Sequence, residues 1–225
     1  MSIKPMLIVA LLIWLGGCAQ LDEWTSTTPK SEQAAVATGE PIDAAAVYVS
    51  QDPPPDVAGF RSIYIAPANL ANMQVIQPEG APADGEWWVT DEEADILQRM
   101  IAYEFSVALT YQSDFITVTN ASGAQLVLNT AVVAVHPNET RSSVAKGARP
   151  SGSITVSIAV VNGATGKVLA RIVDTRSSED VWAFNEVTSD DPAVSAIFQS
   201  LGGDIRRGIL TLQGRPDPAM SQLLR

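Results

Sequence analysis

Cysteine is nearly missing from this chain, with one in 225 residues. A lone cysteine excludes an internal disulfide, whatever the redox compartment. Histidine is as scarce: His136 stands alone. One histidine and one cysteine cannot assemble a zinc site of the usual nitrogen and sulfur kind, so no metal is expected. Positive charge is also short. Lys and Arg number 14 against 25 Asp and Glu, a formal charge of −11. Nucleic acid demands clusters of basic residues, so it is excluded as a partner. A membrane-spanning run is absent as well. Met6 to Leu15 is apolar for ten residues, half of the ~20 needed to cross a bilayer. No serine sits in a G-x-S-x-G elbow. "GATGK" at 163–167 has a glycine too near its lysine for a phosphate loop, and it falls on a hairpin. No cofactor is expected.

What is present begins with the short apolar run. Lys4 before it and its length fit a secretory signal. Leu15-Gly16-Gly17-Cys18 then resembles the lipobox of bacterial lipoproteins, with an aliphatic residue three places before the cysteine and small residues between. The chemistry suits those residue types. A thiolate is a strong nucleophile that takes a diacylglyceryl group, and the glycines admit a peptidase. Several acyl chains then anchor stably, at ~0.8 kcal/mol per buried CH₂. The alternatives are an ordinary signal with an incidental cysteine or a short buried helix. The order of signal, small pair and lone cysteine favours lipidation of Cys18. Ala19 stands where an aspartate would favour inner-membrane retention. The resemblance therefore implies the outer membrane, facing the periplasm, with the inner membrane as the alternative. Without residues 1–17 the chain keeps 13 basic and 25 acidic residues, a formal charge of −12.

Residues 18–46 follow as the lipidated cysteine and an acidic tether, poor in large apolar residues and therefore unable to offset their ordering entropy. The tether has a root-mean-square reach of ~30 Å and a limit of ~90 Å. "QDPPPD" at 51–56 is stiffened by its prolines. Residues 47–214 read as one domain and 215–225 as a tail. Ser62 to Ala66 is a short strand, and Ala68 to Val89 an irregular stretch. Thr90 to Glu93 is a capping box that opens a helix through Tyr111. Strands follow at Phe115–Thr119 and Leu126–Val135. Ile154, Val156, Ile158 and Val160 alternate with Thr155, Ser157, Ala159 and Val161, a half-buried strand. The "NGATG" turn leads to a return strand at Val168 to Ile172. Asp191-Pro192 opens a last helix with Val194, Ile197, Phe198, Leu201, Ile205, Ile209 and Leu212 on its apolar stripe. The order β-α-β-β-β-β-α predicts a two-layer α+β domain: a mostly antiparallel sheet of about five strands with two amphipathic helices on one face.

"GFRSIYIAPA" at 59–68, "VNGATGKVLARIVDTR" at 161–176, the lipobox and the final helix together resemble the bacterial lipoproteins grouped as "domain of unknown function 3313". The likeness runs from about Tyr48 to Leu212 and departs in 68–89, which is richer in Gly, Pro and Trp. It implies an envelope lipoprotein and no reaction.

Two features are candidates for binding. Trp87-Trp88 precede the capped helix, and neighbouring side chains there point to different sides, so one tryptophan is expected inside and one free. The alternative has both packing on the domain edge. The loop 136–150 holds Arg141, Lys146 and Arg149 against one acid; it is either a plain solvated loop or a contact for phosphate head groups or an acidic partner. His136 sits at a strand end before Pro137 and is read as a solvent-facing loop residue, the alternative being a base that acts alone or with a carboxylate. The second face of the strand at 153–161 is small and weakly polar. Its expected cover is the segment 68–89 or an outside partner. These features favour a non-enzymatic, membrane-anchored binding or assembly module for an envelope protein or lipid. The competing readings are a carboxylate-dependent hydrolase of cell-wall glycan and a purely structural lipoprotein.

Overall fold

The computed structural model describes residues 46–49, 57–82, 85–144, 146, 150–182 and 192–215. The signal, Cys18, the tether up to residue 45, the proline run, Arg149, Asp191 and the tail from 216 lie outside the described residues. The elements are β1 (Ala46–Val49), β2 (Ser62–Ile65), β3 (Gln74–Val75), α1 (Asp91–Thr110), β4 (Ile116–Val118), β5 (Leu126–Pro137), α2 (Arg141–Val144), β6 (Gly152–Asn162), β7 (Val168–Ser178) and α3 (Pro192–Leu212).

The fold is α+β, as the sequence predicts, with two strands and one short helix beyond the expected order. Among the described residues seven strands form one sheet in the order β1-β7-β6-β5-β2-β4, with β3 pairing β5 beside β2. The pairs β1/β7, β6/β7 and β5/β6 are antiparallel, whereas β2/β4, β2/β5 and β3/β5 are parallel. The expected irregular stretch after Pro67 is in part an interrupted edge. Asn69 bridges Ala131, and Gln74 and Val75 then lie opposite Ala134 and Val135. The backbone thus tracks one side of β5 from Ile63 onward. Proline and turns break its alternation into pieces too short to read as a strand.

The capping box is formed. The Glu93 amide donates to Thr90 Oγ1 at 3.2 Å and the Thr90 amide to Glu93 Oε2 at 2.7 Å. Leu97, Ile101, Phe105 and Leu109 of α1 share one core with Val194, Ile197, Phe198, Leu201, Ile205 and Ile209 of α3. Phe105 and Phe198 meet edge to face at 6.3 Å between ring centroids. Gly202 lets the two helices approach, for a Cβ there would lie 2.7 Å from the Ala108 Cβ. The sheet supplies Ile154, Val156, Ile158 and Val160, with Leu128, Val132 and Val135 from β5, to the same core.

Two expectations are corrected. The strand at 153–161 is not half-buried, because Thr155, Ser157, Ala159 and Val161 are buried too, outside that core. β6 is an inner strand, and its small second face is tied across strands: Arg171 Nε donates to Ser157 Oγ at 3.2 Å, and the Thr155 and Thr175 hydroxyls meet at 2.9 Å. Nor does the segment 68–89 cover that face. Leu70, Met73, Val75, Trp87 and Val89 pack with the helix-side core instead.

Beyond α1, Gln112 and Ser113 adopt left-handed φ values of 57° and 60° without glycine. Side chains hold this turn. Arg206 Nε donates to Asp114 Oδ2 at 2.8 Å, Arg215 Nη2 to Asp114 Oδ1 at 2.7 Å, and Arg206 Nη2 to Gln112 Oε1 at 3.3 Å. Gly214 ends α3 at φ +66°.

Candidate functional site

Trp87 and Trp88 precede α1, and their opposite fates follow from the backbone. Gln77 clamps Trp87 from both sides: its Oε1 accepts from the Trp87 amide at 2.7 Å, and its Nε2 donates to the Trp87 carbonyl at 2.8 Å. Trp87 then turns inward and is 5% exposed, while Trp88 turns outward and is 53% exposed. A buried indole needs a partner for its N–H. Trp87 Nε1 donates to the Glu139 carbonyl at 2.6 Å. A third tryptophan, Trp182 just after β7, lies 4.5 Å from Trp87 between centroids and donates to Glu93 Oε1 at 3.2 Å. Glu93 therefore serves the helix cap and the aromatic pair together.

Arg141 completes the cluster. Thr140 starts α2 by accepting from the Ser143 amide at 3.2 Å, which sets Arg141 over the tryptophans. Its guanidinium carbon is 4.0 Å from the Trp88 ring centroid and 5.8 Å from that of Trp87. Nη1 is buried without a hydrogen-bond partner, so the aromatic faces are what it meets. The structure thus joins two sequence features, the tryptophan pair and the basic loop, that lie 53 residues apart. Lys146 is exposed nearby in sequence, its amide donating to the Ser143 carbonyl at 3.0 Å. Arg149 lies outside the described residues. His136 lies at a strand end, as expected, but is not a solvent-facing loop residue. It belongs to β5, opposite Ser153, and is half-buried.

Sequence reasoning missed Trp182 and the second role of Glu93. The available signal was chemical: an inward tryptophan beside a capping glutamate offers an N–H that needs an acceptor. The buried carboxylates are all engaged among the described residues. Besides Glu93, Glu104 accepts from Ser195, Asp114 from two arginines and Asp174 from Arg176 Nε at 2.7 Å. Glu93 and Glu104 sit eleven residues apart on one helix, ~16 Å along its axis, too far for paired acid and base work.

A family model described as "Protein of unknown function (DUF3313)" matches residues 38–205. The chain belongs to this family. The match spans β1 to the middle of α3, so the tryptophan–arginine cluster lies inside the DUF3313 region. No curated protein matches this DUF3313 chain. Among solved structures it is similar to the PelC dodecamer from Paraburkholderia phytofirmans, at 12% identity and a TM-score of 0.40, over 77% of this chain and 100% of that one. It is also similar to the hypothetical protein CT253 from Chlamydia trachomatis, at 12% identity and a TM-score of 0.39, over 68% and 96% of the two chains. Lipoprotein GNA1162 from Neisseria meningitidis is a further likeness, at 10% identity and a TM-score of 0.32, over 67% and 99%.

Proposed function

We propose that this DUF3313 protein is an envelope lipoprotein, held by lipid on Cys18 to the periplasmic face of the outer membrane. There it works as a non-enzymatic binding module for a protein or lipid of the envelope. The observation that carries the binding reading is Arg141 lying 4.0 Å over the exposed Trp88. Tryptophan and arginine dominate binding hot spots. The same guanidinium lies 5.8 Å from the buried Trp87, which packs on Trp182, so Arg141 is held in place before any ligand arrives. Lys146 and Arg149 extend the same loop. The anchorage rests on the order of short apolar run, glycine pair and lone cysteine at 6–18. Engagement of the buried carboxylates in structural bonds favours binding over hydrolysis.

The test is crosslinking in intact cells with the wild type and with the Trp88→Ala/Arg141→Ala double variant. The double variant should keep its melting midpoint and lose the crosslinked component. An unchanged crosslinking profile overturns the assignment of this surface. Cys18→Ser should take up no radioactive palmitate and remain unprocessed; normal labelling sinks the anchorage.

A further inference from the structure

α1 carries a second apolar stripe besides the one that it buries. Leu97, Ile101, Phe105 and Leu109 face the core. Ile96, Met100, Tyr103, Val107 and Tyr111, the last just past Thr110, follow at gaps of 4, 3, 4 and 4. Such gaps set residues along one helix face. Ile96 and Met100 are half-buried beside the core, whereas Tyr103, Val107 and Tyr111 are 66%, 41% and 61% exposed. Among the described residues these three are half of the six large apolar side chains left exposed. A single exposed apolar residue needs no explanation, but a row of them on one face marks a surface that meets another.

The two ends of the stripe differ in charge. At the N-terminal end Asp91, Glu92 and Asp95 are exposed, against Arg99 alone. At the C-terminal end three guanidiniums gather on one aspartate. Arg206 and Arg215 bind the Asp114 carboxylate, and Arg61 Nη1 donates to the Asp114 carbonyl at 3.2 Å. Arg206 also lies 5.4 Å over the Tyr111 ring, which joins this cluster to the stripe. One carboxylate neutralises one cation of the three, and Arg61 and Arg215 keep access to solvent. The apolar part is symmetric. Ile96 and Tyr111 are equidistant from the point between Tyr103 and Glu104, and so are Met100 and Val107. A face that is acidic at one end, apolar in the middle and basic at the other complements itself after a half-turn. We infer that its occupant is a second copy of the chain, docked with α1 antiparallel to α1 about a two-fold axis at Tyr103. A contact of this symmetry requires such self-complementarity. Tyr103 then meets the partner's Tyr103, Met100 the partner's Val107 and Ile96 the partner's Tyr111. Glu92 comes level with the partner's Asp114, beside the arginines that the aspartate leaves unanswered. A helix face of ~30 Å by ~10 Å is small for a specific interface, so the dimer is of the transient kind.

The test is site-directed crosslinking of the full chain in mild detergent with a short bismaleimide. Cys18→Ser makes an introduced cysteine the sole thiol. Tyr103→Cys should link to its own copy several-fold more than Asn120→Cys, an exposed position off the stripe. Ile96→Cys mixed with Tyr111→Cys should give a mixed dimer. Tyr111→Cys alone should give little, because its two copies lie ~22 Å apart along the paired helices. Glu92→Lys/Asp95→Lys should lower the Tyr103→Cys yield several-fold while the melting midpoint is kept, and salt at about 0.5 M should do the same by screening. Equal yields at 103 and 120 overturn the dimer. A Tyr111→Cys yield equal to that of Tyr103→Cys, or indifference to charge reversal and salt, overturns the antiparallel register. Crosslinking of Tyr103→Cys in intact cells to a different protein, and not to itself, gives the face to that protein instead of a second copy.

Discussion

Trp87 and Trp88 are neighbours of the same type with opposite tasks, and their replacements should separate them. Trp87→Ala removes a buried ring that packs on Trp182 and donates to Glu139. The expected loss is ~3–5 kcal/mol in urea unfolding. Trp88→Ala removes an exposed ring with one cation–π contact and should cost no more than about 1 kcal/mol. Equal losses would contradict the inward and outward assignment. Asp114 gives a second contrast. Its carboxylate is buried between Arg206 and Arg215, so Asp114→Ala strands a buried guanidinium and should cost ~3–5 kcal/mol. The division of the tryptophans was legible in advance, because adjacent residues of extended chain face opposite ways. The meeting of Arg141 with Trp88 was not, since nothing in local spacing links residues 53 apart. The Asp114 cluster was hidden for the same reason: its arginines come from the far end of the chain.

The helices were the most legible elements, because a capping box and an apolar stripe are local signals. Their mutual packing rests on a finer feature, two consecutive glycines in α3. Gly202 faces Ala108, and a Cβ there would stand 2.7 Å from the alanine's, whereas at Gly203 the nearest atom is 3.5 Å away on the flexible Arg207 side chain. Alanine stabilises a helix interior by roughly 0.5–1 kcal/mol over glycine. Gly203→Ala should therefore raise the melting midpoint by a few degrees, and Gly202→Ala should lower it despite the same gain in propensity. A rise in both would mean that the helices are not in close contact at Gly202. Length alone did not decide which strands were legible: β2 and β4, with four and three residues, were read, whereas β1 and β3, with four and two, were not. The missed pair lie in stretches read as tether and irregular loop, and they exist because β7 and β5 offer them an edge.

The molecule as a whole divides at its sheet. One face is covered by α1 and α3. The other carries the small, buried side chains of β6, tied to β7 by Arg171 on Ser157 and by Thr155 on Thr175. The sequence announced the first face by its large aliphatic residues, and the two-layer architecture followed from it. It misled about the second, because Ser, Thr and Ala read as solvent-facing until β6 is known to be an inner strand. This face should respond to volume. Ala159, with no exposure, has no room for a larger side chain, so Ala159→Leu should destabilise by ~1–3 kcal/mol through overpacking. A neutral result would show that the face is open.

The pairing of Ala46 with Val173 also has a consequence in time. β5, β6 and β7 are successive in the chain and can zip together as soon as they emerge. β2 must wait for β5, some 63 residues later, and β1 must wait for β7, 127 residues later. Distant pairings form slowly because their loops must close first. β1 and β2 therefore stay unpaired until their late partners are in place. Pulse-labelled hydrogen exchange during refolding should find the amides of β5 to β7 protected before those of β1. β1 is then the last strand to be sewn in.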